Sequence, residues 1–235
     1  MLNFMRAHAR LPHLALVFLA SIAMVATPGL ARAIDVVAGV YGTGQPGLLA
    51  PAPLPDPNQV QPFVLPVSDV QERAKAVECL ADAIYYEAGF EPISGQRAVA
   101  QVIVNRVRDP NFPKSVCGVV FQGFQRKTGC QFSFVCDGSM KRRPPRPEQA
   151  TFARTLAEQA LSGYVAKEVG TATHYHTDWV DPYWAPTLQK ITQVGDHIFY
   201  RWPGKAGEPT ALRGYYQGGE VRTWKMAART ILGQA

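Results

Sequence analysis

The stretch "AIYYEAGFEPISGQRAVAQVIVNRV", Ala83 to Val107, decides how the rest of the chain is read. Running into it, Ala76, Leu80, Ala83 and Glu87 recur at i, i+4, i+7 and i+11, one stripe of a 3.6-residue period, with Val77 and Ile84 beside it. The spacing predicts a helix from Gln71 to Ala88, stopped by Gly89, and Pro92 biases Glu91 away from helical geometry. A second helix follows, with Ser94 as candidate N-cap, Ala98, Val99, Val102 and Ile103 on its buried face, and Arg97, Gln101, Asn105 and Arg108 along another. Glu87 therefore closes an apolar stripe with an acid. At about 100° per residue it projects near Leu80, toward the core side, and it sits at a helix C-terminus, where the macrodipole disfavours an anion. Both effects raise a carboxyl pKa. A neutral carboxyl on a groove wall is what protonates the leaving oxygen of a glycosidic bond. An internal ion pair with Arg97 or Arg106 is the other way to accommodate such an acid.

Downstream, "PKSVCGVVFQ" reads as a short helix or turn, and "RPEQATFARTLAEQALSG" as a third long helix with Pro147 in its first turn and Gly163 at its stop. "ATHYHT" and "ITQVGDHIFYRW" alternate and are rich in β-formers, with Gly195-Asp196 as the turn between strands. The expected fold class is α+β, mainly helical, with a small β region in the C-terminal half. "EVRTWKMAARTIL" is expected to form a last short helix.

Working outward, the first 33 residues carry a basic start (Arg6, Arg10), an apolar run from Leu14 to Ala26 and the small-residue site Ala31-Arg32-Ala33. That order is expected of a secretory signal peptide, cleaved after Ala33 or kept as an anchor. The apolar run, about 13 residues, is short for a bilayer span of about 20. Residues 34–70 hold no Lys or Arg, and seven of the chain's 19 prolines fall between Pro46 and Pro66, so they are expected to be an extended linker. The catalytic domain is then expected over residues 71–207, with 208–235 as a C-terminal tail. The expected location is exported, in the periplasm or at the cell envelope, as a monomer without a membrane span in the mature chain.

Cys79, Cys117, Cys130 and Cys136 are an even set in an exported chain, which predicts two disulfides. Three connectivities are open; Cys79–Cys117 with Cys130–Cys136 is the expected one, since the second pair closes a short loop. The spacings lack the C-x2-C knuckle of a zinc site. Removing Arg6, Arg10 and Arg32 with the leader lowers the formal charge from +6 to +3. The remaining dense basic run is "KRRPPRP", Lys141 to Pro147, either a solvated loop or a point of attraction for an anionic envelope polymer. Nucleic acid is not an expected partner.

The segment "YYEAGFEPISGQRAVAQVIVNRVRDPNFPKSVCGVVFQ" resembles the signature of the SleB-type cell-wall hydrolases, the family first associated with spore-cortex lysis. The pattern E-A-x-x-E-P-x-x-G-Q-x-A-V-A-x-V-I-x-N-R-V is long, and weaker similarity continues through "QFSFVCDG" and "HYHT … GDHIFYRW". The resemblance implies a lysozyme-like catalytic domain acting on peptidoglycan glycan strands without a cofactor or metal, with Glu87 as the catalytic acid. It further implies lytic transglycosylation, in which the muramic acid 6-hydroxyl displaces the leaving sugar and leaves a 1,6-anhydro end; a water-using muramidase is the variant. A single Glu suffices, first giving and then accepting a proton. Glu91 is the candidate second acid, and tying its loop to an Arg or backbone amide is its other role. Asp137 is expected to serve a turn. Candidate substrate-binding residues are Gln96, Asn105, Gln131, Phe132, Ser133, Tyr175 and His176, with Tyr85 as a further flat face and Tyr86 expected in the core.

Two other readings remain. His174 and His176 alternate onto one face of a strand, and with His197 and Asp178 they could hold zinc and make a metal-dependent amidase or peptidase. A non-catalytic wall-binding module would keep the groove without using the acid.

Overall fold

A computed structural model of the chain describes residue 56 and residues 59–126 and 129–222. The expected signal peptide, most of the expected linker and all but the first three residues of the expected last helix lie outside the described residues.

Helix α1 spans Val70–Ala88, one residue longer than its periodicity predicts. Its start is set by Asp69, whose carboxylate accepts from the amides of Gln71 (2.7 Å) and Glu72 (3.0 Å). Gly89 ends it by a route the sequence does not announce. Its φ of −61° is ordinary helix, so no left-handed turn is needed; instead a Cβ there would lie 2.4 Å from the Tyr85 carbonyl oxygen. Helix α2 spans Ile93–Arg108 and starts on Pro92, with no side-chain cap, so Ser94 lies inside the helix rather than capping it.

The larger correction concerns the polar stripe of α2. The helix is buried almost all round, from Gly95 to Val107 except Arg97, because α1, α5 (Pro147–Leu161), α3 (Val116–Val120) and the sheet all pack on it. Two of its polar side chains, Gln101 and Asn105, are satisfied internally. Gln101 donates to Asn105 (2.9 Å) and accepts from the Ala166 amide (3.0 Å), while Asn105 donates to the carbonyls of Gly170 and Ala172, both 2.8 Å. These bonds replace water for groups that would otherwise be stranded in a core.

Between α3 and α5 lie a 3-10 turn at Ser133–Val135 and the four-residue helix α4, Ser139–Arg142. Strands β1 (His174–Thr177), β2 (Gln189–Val194) and β3 (His197–Arg201) form one antiparallel sheet in the order β1-β3-β2, with Gly195-Asp196 turning β2 into β3 as expected. Ala98 and Val102 of α2 meet Phe199 of β3 in an apolar cluster with Ala166, Val169 and Ala172. That seam fixes the sheet against the helices. The observed class is α+β, mainly helical.

Both expected domain limits fall inside folded structure. Leu65 is buried and its amide donates to the Leu161 carbonyl at 2.9 Å, and Arg108 holds the Gln61 carbonyl at 2.7 Å. At the other end, the buried Glu220 carboxylate accepts from the Val116 (2.9 Å) and Cys117 (2.7 Å) amides, capping α3. Arg222 pairs with Glu78 at 2.7 Å and with Asp82. The segment from 208 to 222 is thus fastened to the body rather than trailing from it.

Two disulfides are present, Cys79–Cys117 and Cys130–Cys136. The first joins α1 to α3 through fully buried sulfurs across a separation of 38 residues. Closing a loop of that length in the unfolded chain stabilises the fold by about 4 kcal/mol in the chain-entropy account. Replacing both Cys79 and Cys117 by Ala is therefore expected to lower the unfolding free energy by that order, read from urea unfolding, whereas the same change at Cys130 and Cys136, separated by only six residues, costs less.

Candidate active site

Glu87 leaves α1 one residue from its end and reaches toward the first strand. The Tyr175 hydroxyl donates to its Oε2 at 3.0 Å. Among the described residues no Lys or Arg nitrogen stands within 4.0 Å of its carboxylate, so it is not held in an ion pair. The side chain is half-buried, crowded on most sides while keeping some open surface. Burial pushes its pKa up to about 6, against the Tyr175 hydrogen bond and the positive Arg106, which lower it, and with Asp137, which raises it.

Arg106 is the residue that sequence reasoning weighed only as an ion-pair partner. It is 3% exposed, its Nε donates to the Thr173 carbonyl at 2.7 Å, and its guanidinium lies over the rings of Phe112 (5.3 Å) and Phe132 (5.4 Å). Burial lowers its pKa to about 10, which leaves it charged throughout the range where Glu87 titrates. A signal for it was in the sequence: Arg106 continues the Ala98–Val102 stripe by four residues, and that stripe faces the sheet.

Tyr175 stands on β1 opposite Phe199 of β3, on the face turned toward the helices. Its ring meets His197 edge-on at 5.0 Å and Phe199 at 5.7 Å. Burial and the adjacent Glu87 hold its hydroxyl well above the ordinary tyrosine range, so it remains a proton donor to Glu87.

Strand alternation separates the histidines. Directly paired residues share a face, and His197 pairs with Thr177 while His174 pairs with Tyr200 and His176 with Ile198. His197 therefore faces the helices, and His174 and His176 face the other way. There His176 stacks on Tyr200 (5.2 Å) and its Nε2 lies 2.8 Å from the Tyr200 hydroxyl, beside Trp184, while His174 packs on Trp202 and Trp184. The three imidazoles do not converge, and no group of three or more metal-ligating side chains gathers among the described residues. This overturns the zinc reading and also directs His176 away from the side where Tyr175 meets Glu87.

Glu91 is a fastener. Its carboxylate accepts from the Asp196 amide (3.2 and 3.3 Å) and lies 3.3 Å from His197 Nδ1, with both side chains almost wholly buried. It clamps the β2–β3 turn onto the loop after α1. Gly195 makes room for it: φ is +59° and a Cβ would fall 1.7 Å from Glu91 Oε2. Gly195→Ala is expected to destabilise the fold by about 1–3 kcal/mol, by strain and loss of the Glu91 contacts, read from thermal or urea unfolding.

Other candidates divide. Gln96 is buried and donates to the Glu91 carbonyl at 3.0 Å, bracing the same loop. Asn105 is fully buried with both amide hydrogens engaged, which removes it from any substrate surface. In the loop closed by Cys130 and Cys136, Phe132 and Phe134 point inward, Phe132 beneath Arg106 and Phe134 stacked on Tyr86 at 4.9 Å. Ser133 is exposed and Gln131 half-exposed, so these two keep open surface. Asp137 accepts from the Ser139 amide at 2.6 Å, the turn role expected of it.

Glu87 is thus a half-buried acid without an ion-pair partner among the described residues, set between a helical body and a small sheet, and comparison with known proteins gives the class. Residues 90–200 match the family model described as Cell Wall Hydrolase. The chain is 33% identical over 123 residues to the spore cortex-lytic enzyme of Bacillus subtilis (strain 168), covering 52% of this chain and 36% of that protein. It is 35% identical over 124 residues to the spore cortex-lytic enzyme of Oceanobacillus iheyensis, covering 52% and 40%. The chain thus spans well under half the length of these curated relatives. Among solved structures, the catalytic domain of the Bacillus cereus SleB protein is 32% identical, covering 55% of this chain and 91% of that one, with a TM-score of 0.45. The catalytic domain of the germination-specific lytic transglycosylase SleB from Bacillus anthracis is 31% identical, covering 58% and 99%, with a TM-score of 0.46. The chain belongs to the SleB-type cell wall hydrolase family. The family-model match opens at residue 90, so Glu87 stands on its geometry.

Proposed function

We propose that this protein cleaves the glycan strands of peptidoglycan as a lytic transglycosylase, with Glu87 as general acid and then general base. The observation that carries the reading is the state of Glu87: a desolvated carboxyl with a pKa near 6, oriented by Tyr175 and free of any ion pair among the described residues. Tyr175 occupies Oε2, leaving Oε1 to carry the proton toward the glycosidic oxygen. As that bond breaks, positive charge develops on the sugar and Glu87 becomes an anion. Arg106, buried and charged behind it, favours the anion enough to let the proton go, without pairing with it and quenching its basicity. The same carboxylate then accepts the proton of the muramic acid 6-hydroxyl, which closes the 1,6-anhydro ring.

Mass spectrometry of sacculi digested by the purified protein tests this. Anhydro-ended muropeptides are expected. Reducing ends would make the protein a water-using muramidase, cut stem peptides would make it an amidase or peptidase, and binding without product would leave a wall-binding module.

A further inference from the structure

The basic run Lys141 to Pro147 is attached to the end of α1 that carries Glu87, and nothing in the chemistry above uses it. It is a built feature. The Asp137 carboxylate accepts from the Ser139 amide at the start of α4, the Arg143 guanidinium donates to the Ser139 hydroxyl at 2.8 Å, and Pro144, Pro145 and Pro147 restrict the backbone that follows. Two tyrosines next to Glu87 in sequence fasten it to the end of α1: the Tyr86 hydroxyl donates to the Arg143 carbonyl at 3.0 Å, and the Arg146 amide donates to the Tyr85 hydroxyl at 3.3 Å. A third tie is electrostatic, since Asp137 acts on both Glu87 and the guanidinium groups of Arg142 and Arg143.

Lys141, Arg142, Arg143 and Arg146 are all exposed. Among the described residues no carboxylate comes within ion-pairing distance of any of them. Four cations in six residues, held on a stiff backbone with no ion-pair partner among the described residues and Asp137 acting on only two of them, repel one another and favour an anion supplied from outside.

We infer that this run is a subsite for the carboxylates of peptidoglycan stem peptides, and that it makes the protein select glycan strands that still carry their stems. The inference rests on peptidoglycan being the substrate. A stem of three to five residues extends about 10–18 Å from its muramic acid, enough to reach from a sugar at Glu87 to a loop attached to the neighbouring tyrosines. Stem carboxylates recur along the strand, matching a short run of cations rather than a single one. Arginine suits the task, since its planar fork engages carboxylates in pairs.

The test uses the full chain carrying Glu87→Gln, which binds strands without cutting them. Binding is measured to stem-bearing glycan strands and to the same strands stripped of stems by an amidase, with and without Lys141→Gln, Arg142→Gln and Arg146→Gln together; Arg143, which braces α4, is left intact. The triple change is expected to weaken binding to stem-bearing strands by about tenfold, the order of a few exposed charge pairs. It should also flatten the salt dependence, leave binding to stripped strands unchanged and leave the Tm unchanged. Arg142→Lys with Arg146→Lys is expected to retain most of the affinity. An unchanged affinity for stem-bearing strands overturns the inference, as does an equal loss on both strands. Tighter binding to anionic phospholipid vesicles than to stem-bearing strands overturns it in favour of a lipid surface. If neither strand binds, peptidoglycan itself is the wrong substrate; equal binding of both strands by the chain carrying Glu87→Gln alone sinks only the stem subsite.

Discussion

Glu87→Gln is expected to abolish release of glycan fragments from sacculi, a loss of about 10³-fold or more from removing a general acid that also serves as base, while making the folded protein more stable at neutral pH. The two effects have one cause. In the wild-type protein burial lifts the Glu87 carboxyl from its ordinary 4.5 to about 6. The folded state therefore holds this proton more tightly than the unfolded chain does. Below pH 4.5 the group is neutral in both states and costs nothing extra. Between pH 4.5 and 6 the unfolded chain gives up the proton first, and stability falls. Above pH 6 the folded state carries the full cost of a desolvated anion, up to about 2 kcal/mol. Glutamine keeps an oxygen to accept from Tyr175 and carries no charge, so the variant escapes that cost. Urea midpoints should coincide at pH 4 and separate at pH 8, with the variant higher. The wild-type rate should fall about tenfold per pH unit above pH 6, as the acid form is depleted. Equal midpoints at pH 8 would show that Glu87 sits in water, and undiminished release by the variant would take the catalysis elsewhere.

The parts of this arrangement that were legible in the sequence are those governed by local periodicity. The Ala76–Leu80–Ala83–Glu87 stripe placed the acid on the inner side of α1, and the Pro147 and Gly163 signals bracketed α5. Gly195-Asp196 marked the hairpin, and alternation along "HYHT" was correctly strand-like. What could not be read is what depends on long-range packing. Helix α2 looked two-faced because Gln101 and Asn105 are polar, yet both are buried to hold the carbonyls and amides of residues 166–172. No local pattern distinguishes a polar side chain facing water from one satisfying a buried backbone some 65 residues away. The histidines failed for a related reason. Alternation put His174 and His176 together, but the face of His197 depends on strand register, and pairing it with Thr177 sends it to the opposite side. Glu91 was undecidable from sequence because its partners, the Asp196 amide and His197, lie beyond a chain reversal that only the fold supplies.

Arg106 is the position where fold and chemistry meet, and Arg106→Met is expected to damage both. The guanidinium is almost completely buried, donates to the Thr173 carbonyl at the entry to β1, and lies between the rings of Phe112 and Phe132. Methionine fills much of the volume but leaves that carbonyl without its donor, a cost of about 1–3 kcal/mol, offset in part because a buried cation no longer has to be desolvated. A net loss of stability of about 1–2 kcal/mol is expected from those opposing terms. The functional effect has a definite sign. Arg106 lowers the Glu87 pKa, so its removal moves the limb of the pH profile that reports loss of the acid to higher pH. Glu87 then holds its proton to higher pH yet releases it less readily, and the anion formed has lost the positive charge behind it. The rate at low pH should fall by about 10²-fold, the order expected when one preorganised charge is removed from a water-poor site. Arg106→Lys keeps the charge but not the planar Nε–H that meets Thr173. It should leave the pH profile nearly in place while losing stability, so the pair of variants separates the charge from the bracing. An unchanged acid limb in Arg106→Met would mean that the guanidinium only holds Thr173, and that burial alone sets the proton affinity of Glu87.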